Sequence, residues 1–361
     1  MDVKETLKRL TNVLGGSGDE FRASAVFAEL IRPFADEVET DAYANVTAVK
    51  RCGKENARLV MIDAHIDQMA MMAKEVTDDG FVKFIAQGFD PRQLYGADVT
   101  LITRAGKELP GIVATFPKEL QYEEITDTVP VDELSIDLGL PAEKVKAEVT
   151  VGDFIYYANE TIELADGTLC GRAFDDRAAV TSVLIAAEKL SAETLGFDVL
   201  YSASAREEVG GPGAAIVANR YKPDFAVVLD LAQAKCDAYS EPDAFELGGG
   251  AVIGRGDHSS PRLAERLAEV ARAKEIPFNF QAIPAQSKTN AGHIQLAATG
   301  IETAVLSFPE RYSHSPVEIV SIADTEKTAQ LLAEFVLSLG PHDFRGDPDA
   351  EISGYKGGGL R

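Results

Sequence analysis

The sequence predicts an α/β protein: a mixed, largely parallel sheet covered by helices, interrupted by an inserted β-rich, barrel-like domain. Three observations carry that reading. Strand-type and helix-type segments alternate from Gly171 onward, and residues 1–70 already have α/β character. Between them, over residues 72–164, short β-type runs succeed one another with no long helical period.

Taken in order, MDVKETLKRLTNVL is an amphipathic polar helix, and residues 20–34 give a second apolar-periodic helix. Alternation through residues 45–50 predicts a strand, and the buried-type run ARLVMIDAH predicts another. In the insert, VTLITR and LPGIVAT are β-type runs separated by the turn AGKE. After Gly171 the expected order is a helix over residues 176–190, the strand FDVLYSAS, the short helix GAAIVANR and the strand FAVVLD. The helix PRLAERLAEVARAKE, the strand ETAVLSF and the helix DTEKTAQLLAEFVLSL complete it. The expected domains are a discontinuous α/β unit of residues 1–71 and 165–345, the insert of residues 72–164, and a polar, glycine-rich tail of residues 346–361. The runs GGPG and GGG read as turns, because they lack the Lys-Ser/Thr ending of a phosphate loop.

A chain of 361 residues exceeds one typical domain, and 45% hydrophobic with 26% charged residues is a globular balance with ample core. The formal net charge of −23, from 58 acidic against 35 basic residues, disfavours nucleic acid and anionic membrane as partners. The first segment lacks the apolar core of a signal peptide, and no run of about 18 apolar residues follows, so a cytoplasmic protein is expected. Cys52, Cys170 and Cys236 match no CxxC spacing, which supports neither a disulfide framework nor a thiolate zinc site.

Open α/β sheets place ligands at the carboxyl ends of their strands. There the chain sets His65 and Asp67, then Glu207 and Glu208, then Asp230 and His314, with Asp175 and Asp176 just before a helix. Each has a plainer explanation alone: HxD and EE pairs are common, the paired aspartates can cap a helix, and His314 can be a loop residue. Together they supply complete coordination. Imidazole nitrogen and carboxylate oxygen suit zinc, cobalt or manganese, and one carboxylate can bridge two ions roughly 3.5–4 Å apart. Strand alternation would turn His65 and Asp67 to one side, and would point Glu207 and Glu208 different ways if that segment is extended. His258 and His293 are weaker candidates, since lone histidines are more often structural, and His342 lies beyond the last helix.

Eight segments, AHID, GFDPRQLYG, SIDLGL, VGD, AFDDR, REEVG, VVLD and RYSHSPVE, together resemble the tetrahedral aminopeptidases. These form the glutamyl aminopeptidase and cellulase-M-like branch of the co-catalytic metallopeptidases. The resemblance implies a zinc-peptidase-like fold and an aminopeptidase acting on short peptides with two divalent ions, zinc or cobalt. It implies that His65 and Asp230 bind one ion, Glu208 and His314 the other, and that Asp175 bridges them. Glu207 would be the general base for a hydroxide between the ions, Asp67 the orienting acid, and the Asp175–Asp176 peptide bond cis. A homo-oligomer is also implied, dimeric through the insert and assembled into a dodecamer. The insert falls between His65 and Asp175, whereas the related carboxypeptidase and deacylase family carries its extra domain between the fourth and fifth ligands.

Two departures bear on substrate preference and rate. Gln68 stands where relatives commonly have glutamate, and Thr289-Asn290-Ala291-Gly292 replaces Thr-Asp-Ala-Gly. Both remove a negative charge near the expected site. The alternatives are another metal-dependent amide hydrolase, a glucan-cleaving relative, or a non-catalytic peptide-binding or assembly homologue.

Overall fold

An apolar run that alternates between two buried faces needs cover on both of them. Leu59–His65 is such a strand: Val60, Ile62 and Ala64 enter one core, while Met61 enters a second on the opposite face. The computed structural model, which describes residues 1–114, 129–237, 244–283, 289–340 and 343–344, places this strand in the interior of an 11-stranded sheet. The first core is closed by the helices Val3–Thr11, Phe21–Ile31, Phe174–Leu190, Pro261–Ala273 and Ile322–Leu337. The second is closed by Pro212–Tyr221 and the short Ala291–Ile294.

Across the sheet the order runs Glu37–Thr40, Val46–Lys50, Asp198–Ser204, Leu59–His65, Phe225–Gln233, Glu302–Arg311, Glu318–Ser321, Thr168–Gly171 and Ile162–Glu163. The four strands from Asp198–Ser204 to Glu302–Arg311 are mutually parallel, and antiparallel strands flank them. Ala251–Gly256 pairs antiparallel with Glu302–Arg311 and carries Phe278–Ile283 parallel at its other side. The mixed, largely parallel sheet therefore stands as the sequence predicts.

Differences arise at edges and ends. Glu37–Thr40 has no apolar alternation because three of its four residues are exposed at the sheet edge. The expected strands FAVVLD and ETAVLSF each run further, to Gln233 and Arg311, because their mutual register continues through Gln233 and Glu310. Both glycine runs are turns: Gly210 and Gly211 have φ of 108° and 62°, and Gly248 and Gly250 donate their amides to Asp324 at 2.7 and 2.8 Å.

The β-rich insert closes on itself. Met71–Val76, Val82–Ile85, Ser135–Asp137, Glu108–Ala114, Asp98–Ile102 and Phe154–Tyr157 form a barrel in that order around a separate core that includes Val82, Leu101, Val113, Ile136 and Ile155. The expected hairpin is present, with Leu101 opposite Leu109. All three cysteines are free. Among the described residues no helix is long and apolar enough to cross a membrane. The expected tail, residues 346–361, lies outside the described residues.

One close approach ties the second core to the strand end that matters below. The amide of Ala205 donates to Asn45 Oδ1 at 2.8 Å, and Gly213 in the first turn of Pro212–Tyr221 packs against both groups. A Cβ at Gly213 would collide with the Ala205 carbonyl oxygen and with Asn45 Oδ1. Helix propensity alone favours alanine over glycine by about 1 kcal/mol. We expect the collision to win, so that Gly213→Ala loses roughly 1–3 kcal/mol in urea unfolding; equal or greater stability would contradict this packing.

Candidate metal centre

Five elements deliver the acidic residues and histidines to one place. His65 closes the strand Leu59–His65, and Asp67 follows it. Asp175 lies in the first turn of Phe174–Leu190, where the backbone departs from helical geometry (φ −74°, ψ 103°) and the Asp175–Asp176 peptide bond is cis, as the family resemblance implies. Glu207 and Glu208 open a 3-10 turn, Glu207–Val209, just past the strand Asp198–Ser204. Asp230 sits within Phe225–Gln233 opposite Ser307, rather than at a strand end or as a cap. His314 occupies the turn between Glu302–Arg311 and Glu318–Ser321 with φ of 61°.

The carboxylate of Asp175 is shared. Its Oδ1 lies 3.1 Å from His65 Nε2, and its Oδ2 lies 3.1 Å from His314 Nε2. His314 Nε2 is also 3.2 Å from Glu208 Oε2. Two groups, His65–Asp175–Asp230 and Asp175–Glu208–His314, each bring their ligand atoms within 4.8 Å of one another, which is a spacing that could hold a metal ion.

Asp67 sits beneath this arrangement, fully buried. His65 Nδ1 lies 3.1 Å from the Asp67 backbone oxygen and 3.5 Å from its Oδ1. The Asp67 carboxylate accepts the amides of Glu207 at 3.0 Å and Glu208 at 3.2 Å, and the Ser17 hydroxyl at 2.6 Å. That carboxylate curls the chain, with Arg206 at φ 62°, so the two glutamates are not on an extended segment as simple alternation would have it.

The electrostatics are those of acid crowded out of water. Burial pushes Glu207 up to about 9; His65 pulls against it, while Asp230, Glu208 and Asp67 push further. Burial, with Asp175 adding to it, raises Asp230 to about 7. Hydrogen bonds to Asp175 and Glu208 raise His314 to about 11. Burial opposes ionisation of Asp175, but its hydrogen bonds with His314 and His65 outweigh that and hold it low. Glu208 Oε1 and Asp176 Oδ1 are buried without any hydrogen-bond partner. Orphan acceptors among mutually repelling carboxyls call for positive charge.

Beside Asp175, Glu208 and His314 a cavity opens, lined also by Gln68, Met69, Phe89, Tyr157, Arg172 and Ser315. Gln68 Oε1 accepts from Arg172 Nη1 at 3.1 Å, so the neutral amide occupies that guanidinium. The charge missing at Asn290 is supplied next door. Asn290 Nδ2 donates to Asp63 Oδ2 at 2.9 Å, and the Ser204 hydroxyl donates to the same oxygen at 3.1 Å. His293 lies against Gly211 and His258 against Gln295, and neither belongs to either ligand group, while His342 lies outside the described residues.

Sequence reasoning passed over Ser17, Glu310 and Glu318. Glu310 is buried with neither carboxyl oxygen bonded, and burial together with Glu318 holds it well above the ordinary range. Its position inside an apolar strand was the available signal. Glu318, four residues after His314, reaches back to that residue's amide at 3.1 Å.

A family model for the M42 glutamyl aminopeptidases matches residues 44–331, which span every acidic residue and histidine of the two ligand groups. The chain belongs to the M42 glutamyl aminopeptidase family. It is similar to the lysyl aminopeptidase of Pyrococcus furiosus, 28% identical over 349 residues that cover 94% of this chain and 98% of that protein. Among solved structures, an aminopeptidase from Desulfurococcus kamchatkensis superposes with a TM-score of 0.89 at 29% identity, covering 96% of this chain and 98% of its own. The TET1 peptidase of Pyrococcus horikoshii, which can assemble into a tetrahedron or a large octahedral shell, gives 0.83 at 28% identity, covering 94% and 100%. Like the rest of the family, this protein is a metal-dependent aminopeptidase, a hydrolase of peptide bonds. The glucan-cleaving alternative is not favoured, since a glycosidase needs a carboxylate pair and neither histidine.

Because Asp63 and Asn290 form one acid–amide pair, Asn290→Asp sets two carboxyls against each other in a buried place. We expect a loss of about 1–3 kcal/mol in chemical unfolding, most of it recovered when Asp63→Asn is added. Failure of the double variant to recover would show that the pair does not act as a unit.

Proposed function

We propose that this protein removes the first residue of short peptides at a dinuclear centre. His65 and Asp230 would hold one divalent ion, Glu208 and His314 would hold the second, and Asp175 would be shared between them. The supporting observation is that the two oxygens of Asp175 face separate three-residue groups. The donor set fits such ions: imidazole nitrogen and carboxylate oxygen without thiolate suit zinc or cobalt, and the buried, unpartnered Glu208 Oε1 is an acceptor awaiting a cation.

When bound, the ions supply Lewis acidity toward the scissile carbonyl and water acidic enough to furnish hydroxide near neutral pH. Glu207 takes the proton from the attacking water and returns it to the leaving amine. Asp67 holds that base in place by accepting the Glu207 backbone N–H and steadies His65 from the Nδ1 side. The substrate's first residue enters the cavity walled by Met69, Phe89 and Tyr157, beside Gln68 and Arg172.

In this reading residues 72–164 form a dimerisation domain. Met72 and Ile85, paired across neighbouring barrel strands, are both exposed, which supports an apolar contact there. Dimers joined through the barrel build a dodecamer, an assembly supported by the shell-forming relatives. The protein works in the cytoplasm, on peptides rather than on nucleic acid or membrane.

Two measurements test this. Glu207→Gln should lose roughly 10²–10⁴-fold in turnover while still binding two ions per chain; retained activity would remove Glu207 from the role of base. Metal uptake should also release protons, because the ligands Asp230 and His314, raised to about 7 and about 11, carry protons near neutral pH until a cation displaces them. The sign follows: apparent affinity rises with pH, and fewer protons leave as pH climbs past 7 and then 11. Calorimetry in buffers of differing ionisation enthalpy reads that release directly, and uptake without it would contradict the proposed ligands.

A further inference from the structure

We propose that Glu318 is a positioning residue for the metal centre: its single carboxylate fixes the backbones of Asp175 and His314 and so sets how their side chains meet. The inference rests on the reading of Asp175 and His314 as metal ligands.

Glu318 opens the short strand Glu318–Ser321, is paired with Gly171 on the neighbouring strand, and is buried. Its Oε2 accepts the Phe174 amide at 2.6 Å and the Asp175 amide at 3.3 Å. Its Oε1 accepts the His314 amide at 3.1 Å. These amides need such an acceptor. Phe174 and Asp175 start a helix, where N–H groups have no intrahelical partner, and His314 lies in a turn at φ 61°. The Phe174 and Asp175 amides work against the burial that, with Asp175 beside it, raises the Glu318 carboxyl well above its ordinary range.

The two ligand groups are anchored differently. His65 and Asp230 are each held in a parallel sheet ladder, His65 opposite Ser204 and Asp230 opposite Ser307. His314 has no such ladder; what ties it to the helix start of Asp175 is the carboxylate between them. Removing that tie should therefore weaken the Asp175–Glu208–His314 position more than the His65–Asp175–Asp230 position. A carboxamide cannot replace it, because it offers one acceptor oxygen, and its NH₂ would face an amide N–H on one side.

The test is a stepwise titration of the metal-free, full-length protein with Co²⁺, followed by calorimetry and visible absorption, for the parent and for Glu318→Gln. We expect two binding steps in the parent; in the variant one step is preserved and the other weakened by about 10–100-fold. Turnover should return when cobalt is raised. Glu318→Asp, which keeps the charge one methylene short, should lie between them and carries the same comparison if Glu318→Gln does not fold. Two unchanged steps, or two steps weakened equally in proportion to a fall in thermal stability, would overturn the positioning role. A parent that itself binds fewer than two ions would instead sink the dinuclear reading.

Discussion

A single carboxylate approached by an imidazole at each oxygen is the interaction around which this fold is arranged. Asp175 is buried, and its ionised form persists there because His65 and His314 stand 3.1 Å away on either side. Around that pair of contacts the protein accepts an unfavourable concentration of acid: Glu207, Glu208, Asp230, Glu310 and Glu318 are all raised by burial. An aqueous surface would relieve that repulsion, yet the chain withdraws these groups from water. Protons or cations can relieve that repulsion, and the family's metal dependence gives the second a chemical purpose.

Different physical devices hold the participating side chains. Parallel ladders position His65, opposite Ser204, and Asp230, opposite Ser307. Everything else depends on carboxylates that collect backbone amides. Asp67 takes those of Glu207 and Glu208, while Glu318 takes those of Phe174, Asp175 and His314. Acidic residues thus act at two levels, one facing the centre and one shaping the irregular backbone beneath it.

That division explains what the sequence made legible. Side chains at the ends of apolar runs, such as His65 after LVMIDA, announce themselves, because a buried strand tells the reader where its carboxyl end falls. The barrel likewise follows from short β-type runs without helical period. Residues that act through amides leave no such mark. Glu318 reads as one more acid in a polar stretch, and Ser17 as a loop hydroxyl between glycines. The Glu207–Val209 turn is dictated by Asp67, 140 residues earlier, so local alternation could not reveal it. Asn290 looked like a lost charge because its compensation, Asp63, is adjacent only in space. The edge strand Glu37–Thr40 stayed hidden because an exposed strand has no apolar face to display.

The inserted barrel is joined to the centre by more than its two chain connections. The hydroxyl of Tyr156, on the barrel strand Phe154–Tyr157, accepts the Gly16 amide at 2.9 Å and donates to Asp19 at 2.9 Å. Between those two residues Ser17 donates to Asp67, and just before them Gly15 accepts the amide of Gln68. One short loop therefore touches the barrel on one side and the residues following His65 on the other. Arg177, two residues past Asp175 and wholly buried, locks the same loop by donating to the backbone oxygens of Leu10, Val13, Gly15 and Ile66. A shift of the barrel must then either break several buried hydrogen bonds or carry Asp67 with it. Since Asp67 sets the Glu207–Glu208 turn, the position of the insert and the geometry of the centre are mechanically one variable.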